Sequence, residues 1–131
     1  MGGQGDEGFL NDLWRAPVAV SASSVCWSWV AGASVVDSPG RIGGSLATPG
    51  AREHHGMWAD VLGGAQGMFV FGGNNGTDAL GDLIVLDVRT SMWSRPRTSA
   101  PPRPRGNHAA AAVEEVATGA VTTVAGSGER G

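Results

Sequence analysis

The fold is decided by one stretch, Met68 to Val88, which reads MFVFGGNNGTDALGDLIVLDV. Its first apolar run stops at Gly72-Gly73, and its second begins after Asp82. The segment between the two runs, residues 74–81, is rich in asparagine and glycine, which are strong turn formers. Runs of β-branched and aromatic residues favour strands. The stretch therefore predicts a β-hairpin whose loop spans residues 74–81.

The flanking sequence predicts further short strands. Trp93 opens one, and the prolines that follow it prevent regular strand pairing. Residues 121–124, Val-Thr-Thr-Val, are again typical of a strand. The segment 108–116 stays open between strand and helix, because its run of alanines favours a helix on propensity alone. Long helices are not expected elsewhere, since the 131 residues include 22 glycines.

Landmarks of this region recur at a nearly constant spacing. Arg52-Glu53-His54-His55 aligns with Arg105-Gly106-Asn107-His108, which lies 53 residues further on. Phe71-Gly72-Gly73 aligns with Ala125-Gly126-Ser127 at an offset of 54. Because two independent landmarks give almost the same period, the chain is predicted to contain tandem structural units.

The same landmarks extend upstream at a longer spacing. Gly2-Gly3 aligns with Gly72-Gly73, and Asp12-Leu13 aligns with Asp82-Leu83, both at an offset of 70. We attribute the extra length to an insertion in the first inter-strand loop, at about residues 30–51. One unit of about 50 residues then comprises an Arg-x-x-His mark, a strand, a glycine pair, a polar loop, Asp-Leu, a strand and a tryptophan.

In this arrangement the chain resembles the kelch repeat family, in the superfamily of the galactose-oxidase central domain. The residues that carry the resemblance are Phe71-Gly72-Gly73, 80–87, Trp93 and 105–108, joined upstream by Gly2-Gly3, 9–14 and 27–30. The resemblance implies an all-β fold. More specifically, it implies an incomplete kelch-type β-propeller, with about two blades' worth of four-stranded antiparallel sheets.

The resemblance also implies a division of the chain. Residues 1–30 would form a trailing half-blade with the third and fourth strands, residues 52–94 a full blade, and residues 105–128 a leading half-blade with the first two strands. Residues 31–51 and 95–104 would be inter-blade loops. This amounts to about eight strands, and propellers typically close with four to eight blades, so the chain is not expected to close a ring alone.

Two explanations of such an open arrangement remain. In the first, the chain is a truncated product or an incomplete gene model of a longer protein, whose neighbouring blades close the ring. In the second, separate copies join head to tail, so that a leading and a trailing half-blade complete one blade at each junction. Both make neighbouring blades or further copies necessary for closure.

The resemblance gives the repeated residues structural roles. The glycine pair permits a tight backbone turn. Trp93 and Trp29 (or Trp27) would fill the space between adjacent sheets, and Arg52 and Arg105 would join neighbouring blades through hydrogen bonds. The complete set of expected structural landmarks is Gly72, Gly73, Asp82, Leu83, Trp29, Trp93, Arg52, His55, Arg105 and His108.

Binding is expected on the loops after the second and fourth strands of each unit, because these loops emerge at the same end of a four-stranded meander. The polar residues on these loops are Asp37, Arg41, Asn74, Asn75, Asp78, Arg95, Arg97 and Arg103. Such a set suits a protein or peptide partner. The predicted function is a non-catalytic protein–protein interaction scaffold. The alternative is a segment of a larger propeller enzyme, of a sugar-processing or oxidase type, whose catalytic residues lie outside this chain.

Catalytic, metal and cofactor sites are not predicted. His54-His55 and His108 belong to different units, whereas a zinc site needs three or four converging ligands. Kelch-type propellers include copper oxidases whose site uses tyrosines together with histidines, and this chain contains no tyrosine. We therefore expect no cofactor.

Composition and charge argue against several other classes. The chain has nine arginines, no lysine and 12 acidic residues, and its formal charge of −3 argues against a nucleic-acid partner. No apolar stretch approaches the roughly 20 residues of a membrane helix. The first residues lack the features of a signal peptide, so the cytoplasm is the favoured compartment. The single cysteine, Cys26, is predicted to be a small buried hydrophobic residue.

Overall fold

The computed structural model describes residues 1–17, 24–41, 48–62, 64–115 and 120–127. Within these ranges the regular secondary structure consists of β-strands that pair antiparallel, which confirms the all-β prediction. None of the described residues forms a helix that is long and apolar enough to cross a membrane. The strands are β1 (Gly3–Gly5), β2 (Gly8–Leu10), β3 (Leu13–Arg15), β4 (Ser28–Ala31), β5 (Gly56–Leu62), β6 (Ala65–Phe71), β7 (Leu83–Asp87), β8 (Met92–Ser94), β9 (His108–Glu115) and β10 (Ala120–Ser127).

Strands β5 to β8 form the central sheet, in chain order. Its middle pair is the predicted hairpin, because β6 pairs with β7 and Phe71 lies opposite Leu83. Within the loop, an isolated bridge joins Asn74 to Ala79. The hairpin prediction is therefore confirmed, including its polar loop.

Two-stranded sheets lie on either side of the central sheet in the sequence: the first sheet (β3–β4) and the last sheet (β9–β10). The last sheet runs from the pair His108–Ser127 to the pair Glu115–Ala120. The choice between helix and strand over residues 108–116 is thus decided for a strand up to Glu115. A continuous ladder of cross-strand hydrogen bonds outweighs the small helix preference of the alanines.

The structure contains one ribbon that the sequence did not predict, so the described strands number ten rather than about eight. In this ribbon β1 pairs with β2, and Gln4 lies opposite Phe9. The same relation recurs 70 residues later, where Asn74 bridges to Ala79. The ribbon is thus the counterpart of the loop of the central hairpin.

The core consists of two clusters on opposite faces of the central sheet, as the two-residue period of a strand requires. The back face packs against the first sheet, and its cluster contains Val70, Ile84, Leu86 and Trp93 with Leu13, Val30 and Ala31. The front face packs against the last sheet, and its cluster contains Trp58, Phe69, Phe71 and Val85 with Ala110. Trp58 stacks on Phe69 with 5.4 Å between ring centres.

The two units that the sequence predicted make the same backbone hydrogen bonds. The amide of Gly2 donates to the carbonyl of Asp12 at 2.9 Å, and the amide of Gly72 donates to the carbonyl of Asp82 at 3.1 Å. Gly3 donates to the carbonyl of Arg52, and Gly73 donates likewise to that of Arg105. The amides of these two arginines donate to the carbonyls of Leu10 and Leu80, respectively. The internal repeat is therefore present in the three-dimensional structure.

Gly72 is required by space as well as by conformation. Its φ is +65°, in the left-handed region, and a Cβ atom there would overlap the carbonyl oxygen of Arg105. Gly2 occupies the equivalent place, with φ +62° and a Cβ position 2.8 Å from the carbonyl oxygen of Arg52. In both units the glycine lets the chain of the next unit pass close to it.

The register of the last sheet corrects one alignment. His108 lies opposite Ser127, and Ala109 lies opposite Gly126, whereas Gly56 lies opposite Phe71. If His55 and His108 are equivalent, Phe71 therefore corresponds to Gly126, at an offset of 55 rather than 54. The reason is a longer connection, because two residues separate the paired ends of β5 and β6 but four separate those of β9 and β10.

The burial predicted for Cys26 is wrong. The residue is exposed and precedes β4, whose outer face has no described sheet packed on it. Trp93 lies between the central and first sheets, whereas Trp27 and Trp29 are exposed. Parts of the predicted units and loops, residues 18–23, 42–47, 63, 116–119 and 128, lie outside the described residues.

Candidate functional site: a loop-lined cleft

A cleft of about 820 Å³ lies between the loop of the central hairpin and the segment that precedes β5. The ribbon β1–β2 and the residue after β8 also contribute to it. The cleft is lined by Phe9, Asp37, Ser38, Pro39, Gly40, Arg41, Gly50, Ala51, Arg52, Asn75, Gly76, Thr77, Leu80, Asp82 and Arg95. It therefore opens at the end of the sheets where the sequence placed the binding loops.

The structure brings together part of the predicted binding face. The predicted loop residues that line the cleft are Asp37, Arg41, Asn75 and Arg95. The predicted loop residues that do not line it are Asn74, Asp78, Arg97 and Arg103. Among the latter, Asn74 is half-buried and the other three are exposed.

Asp37 attaches the inserted segment to the ribbon. The amide of Phe9 donates to Asp37 Oδ1 at 2.8 Å, and the amide of Asp37 donates to the carbonyl of Phe9 at 2.7 Å. Asp37 has a φ of +54°, a left-handed conformation that aspartate tolerates better than most residues. These bonds fix the inserted segment as one wall of the cleft.

Two asparagines shape the opposite wall through turns of the Asx type. Asn75 Oδ1 accepts hydrogen bonds from the amides of Thr77 and Asp78, at 3.0 and 2.8 Å. Asn74 Oδ1 accepts one from the amide of Gly76 at 2.6 Å. Asn74 and Asn75 therefore hold the loop through their side-chain oxygens.

The floor of the cleft is an ion-pair network centred on Asp82. Arg52, which is only 3% exposed, donates to both carboxylate oxygens of Asp82, at 2.7 and 3.0 Å. The same guanidinium donates to the carbonyl of Gly72 at 3.0 Å. Arg95 adds a longer contact of 3.3 Å from its exposed side chain. Burial raises the pKa of the Asp82 carboxyl, but the hydrogen bonds and charge of Arg52 outweigh it, so the pKa lies below its ordinary value.

The charge of the cleft has the opposite sign to that of the chain. Three arginines and two aspartates line it, whereas the whole chain carries −3. Of the arginines, Arg52 forms a buried ion pair with Asp82, whereas Arg41 and Arg95 are exposed at the rim. The cleft therefore offers guanidinium donors to an incoming acceptor.

Sequence reasoning missed the floor and one wall of the cleft. It gave Arg52 and Asp82 structural roles only, and it did not place Phe9, whose ring lies where a side chain on Gly76 would be. The signal for Phe9 was the offset of 70, which makes the ribbon the counterpart of the hairpin loop. Among the described residues, no group of three or more His, Cys, Asp or Glu side chains is arranged to hold a metal ion.

His55, three residues after Arg52, has a lowered pKa. Burial lowers its pKa from 6.5 to about 4, and the charges of the amino terminus and Arg52 act in the same direction. Its Nδ1 atom is buried without a hydrogen-bond partner among the described residues. Burial and the charge of Arg105 also lower the pKa of His108, the equivalent residue of the next unit.

We expect acidification to destabilise the fold through His55. Between pH 6.5 and about 4 the unfolded chain binds a proton at this residue that the folded chain does not. The contribution of His55 to the free energy of unfolding is therefore fully present above pH 6.5 and is lost as the pH falls towards 4. The expected loss is about 2 kcal/mol after allowance for partial solvent exposure. Urea unfolding at about pH 7 and about pH 4.5 measures this difference.

The test variant is His55→Gln, which should reduce the pH dependence because it removes the buried imidazole. The control is His54→Gln, at the neighbouring exposed position. An unaltered pH dependence in His55→Gln would contradict the assignment.

Comparison with known proteins gives partial similarities. No protein-family model matches the chain. It is 32% identical to human Host cell factor 2 over 108 residues, which are 80% of this chain and 12% of that protein. It is 50% identical over 44 residues to the Leucine-zipper-like transcriptional regulator 1 homolog of Drosophila melanogaster, or 33% of this chain and 4% of that protein. It is 36% identical over 74 residues to the Rho GTPase-activating protein gacHH of Dictyostelium discoideum, or 56% of this chain and 5% of that protein. The chain thus spans a small fraction of the length of each relative.

Proposed function

We propose that this chain is part of a kelch-type propeller and acts as a non-catalytic protein-interaction module. The proposal makes the central sheet one blade and the first and last sheets parts of its two neighbours. It is supported by the repeated hydrogen bonds of the glycine pairs and by the packing of both faces of the central sheet. The relatives are named as a host cell factor, a transcriptional regulator homologue and a GTPase-activating protein, and such names fit proteins that act through other proteins.

The observation that carries the proposal is the cleft. Its walls are loops held by hydrogen bonds on a sheet scaffold, the usual place for binding residues. Its rim presents Arg41, Arg95 and Asn75, and its interior includes the apolar Phe9 and Leu80. This combination suits a peptide segment of a partner protein that places a carboxylate or carbonyl oxygen against the arginines.

A peptide-selection experiment tests the proposal. A random-peptide phage library is selected on the immobilised chain, and the affinity of the best peptides is measured by fluorescence titration. We expect Arg41→Ala and Arg95→Ala each to weaken binding about tenfold, since a hydrogen bond to a charged group contributes about 1.5–3 kcal/mol. Both side chains are exposed, so their removal should leave the fold intact.

The matched control is Arg89→Ala. Arg89 is an exposed arginine in the turn between β7 and β8, at the other end of the central sheet. Its removal should leave affinity unchanged. Peptides that bind the Arg41 and Arg95 variants as well as the unmodified chain would show that the cleft is not the binding site.

A further inference from the structure

Three tryptophans lie on the outer face of the first sheet. Trp14 and Trp29 are register partners, so their side chains point to the same face, and Leu13 points to the other. Trp27 precedes Trp29 by two residues. The exposed fractions of Trp14, Trp27 and Trp29 are 48%, 67% and 55%. Such an apolar surface, outside the cleft, indicates a missing partner.

The central sheet shows what normally covers this surface. At the offset of 70, Arg15 corresponds to Val85. Ser28 lies opposite Arg15, and Ser94 lies opposite Val85. Trp27, which precedes Ser28, therefore occupies the place of Trp93, which precedes Ser94. Trp93 is 3% exposed because the first sheet packs on the back face of the central sheet. The surface of Trp27 is therefore the back face of the first sheet, and its natural cover is the front face of another unit.

The strand edges show the same incompleteness. In the central sheet β6 and β7 pair with each other. The counterpart of β6 is β10, and the counterpart of β7 is β3. Among the described strands, β10 pairs only with β9, and β3 pairs only with β4. One unpaired edge therefore belongs to the last sheet and the other to the first sheet.

A charge pair is divided between the same two sheets. The Nε atoms of Arg52 and Arg105 both donate to the carbonyl two residues earlier, at 3.1 Å. The Arg52 guanidinium then reaches Asp82, whereas that of Arg105 meets no carboxylate among the described residues. The counterpart of Asp82 is Asp12, which accepts only from Trp14 Nε1, at 2.6 Å, within the described chain.

We propose that two copies of this chain associate head to tail, so that the last sheet of one copy and the first sheet of the next form one four-stranded sheet. Strand β10 of one copy pairs with β3 of the other, and Arg105 binds Asp12 as Arg52 binds Asp82. Trp14 and Trp27 of the second copy then pack on the front face of the first copy's central sheet. This inference does not depend on the cleft, and because the contact is head to tail it repeats into rings or chains.

Sedimentation velocity of the 131-residue chain over a wide concentration range tests the inference. We expect concentration-dependent assembly, which Asp12→Arg or Arg105→Asp alone weakens at least about tenfold. An equimolar mixture of the two variants should restore assembly, because every junction again joins opposite charges. Arg89→Asp, which changes charge by the same amount elsewhere, should have no effect.

Circular dichroism of each variant verifies folding, and the milder pair Asp12→Asn and Arg105→Gln replaces any variant that unfolds. A chain that remains monomeric at every concentration overturns the proposal. So does assembly that neither substitution weakens, or a mixture of charge variants that fails to assemble.

Discussion

Replacing Trp93 with alanine is expected to lower the free energy of unfolding by about 3–5 kcal/mol, the usual effect of removing a buried tryptophan. The side chain lies on the back face of the central sheet with Ile84 and Leu86, and it contacts the first sheet through Leu13. Its Nε1 atom has no hydrogen-bond partner among the described residues. The loss is therefore one of packing, and it falls on the contact that joins two sheets.

Urea unfolding followed by circular dichroism measures this loss, at concentrations where the chain is monomeric. The matched control is Trp27→Ala, the equivalent tryptophan of the first sheet, which is 67% exposed. Its removal should change the stability of the monomer by no more than about 0.5 kcal/mol. Equal losses in the two variants would show that Trp93 does not join the sheets as described.

The central hairpin was predictable because its signals are local. Turn residues at 74–76 and β-branched residues at 83–88 act within one pair of strands. The repeat was also predictable, since Gly72 and Gly2 occupy places where a side chain would overlap the next unit. The hairpin and the repeat were thus predictable because the local backbone geometry requires particular residue types at these positions.

The errors arose where the outcome depends on distant contacts. Cys26 reads as a small apolar residue beside Val25 and Trp27, but burial requires a sheet on that side, and the described chain supplies none. The alignment offset was wrong by one residue because the length of the β9–β10 connection is fixed by the pairing register and has no turn signature in the sequence. The alanines of β9 became a strand because β10 pairs with them.

The candidate site was predictable at its rim and not at its floor. Arg41 and Arg95 are polar residues in loops, which suffices to place them on a surface. That Arg52 and Asp82 lie beneath them follows from the folding of one unit, which brings together side chains 30 residues apart, and no local pattern reveals it. Phe9 belongs to the cleft because Asp37 binds its backbone, a contact between segments 28 residues apart.

Replacing Arg52 with methionine is expected to lower the free energy of unfolding by about 3 kcal/mol. Removing one member of a buried ion pair typically costs about 3–5 kcal/mol, because the remaining charge loses its partner. Here the loss falls at the lower end, since Arg95 still contacts Asp82 at 3.3 Å. The carbonyl of Gly72 also loses a donor. Urea unfolding of the variant and of the unmodified chain near neutral pH measures this loss in the free energy of unfolding.

The same substitution should change how stability depends on pH. In the unmodified chain the lowered pKa of Asp82 means that this carboxylate contributes stability above its ordinary pKa of 3.8, and that the contribution is lost as the pH falls through the folded value. Without Arg52 the pKa of Asp82 rises towards or above 3.8, so this acid-sensitive contribution should diminish. Asp82→Asn in the Arg52→Met background should then recover part of the lost stability, because no charge remains to be desolvated.

The repeat supplies the control for this prediction. Arg105 occupies the same place in the next unit and makes the same Nε bond, but it has no carboxylate partner among the described residues. Arg105→Met should therefore reduce the stability of the monomer by less than about 1 kcal/mol. The difference between the two variants measures the ion pair together with the deeper burial of Arg52, because the Nε bond is common to both positions. Equal losses would mean that Arg52 stabilises the fold through its stem and backbone surroundings, and that the network with Asp82 contributes little.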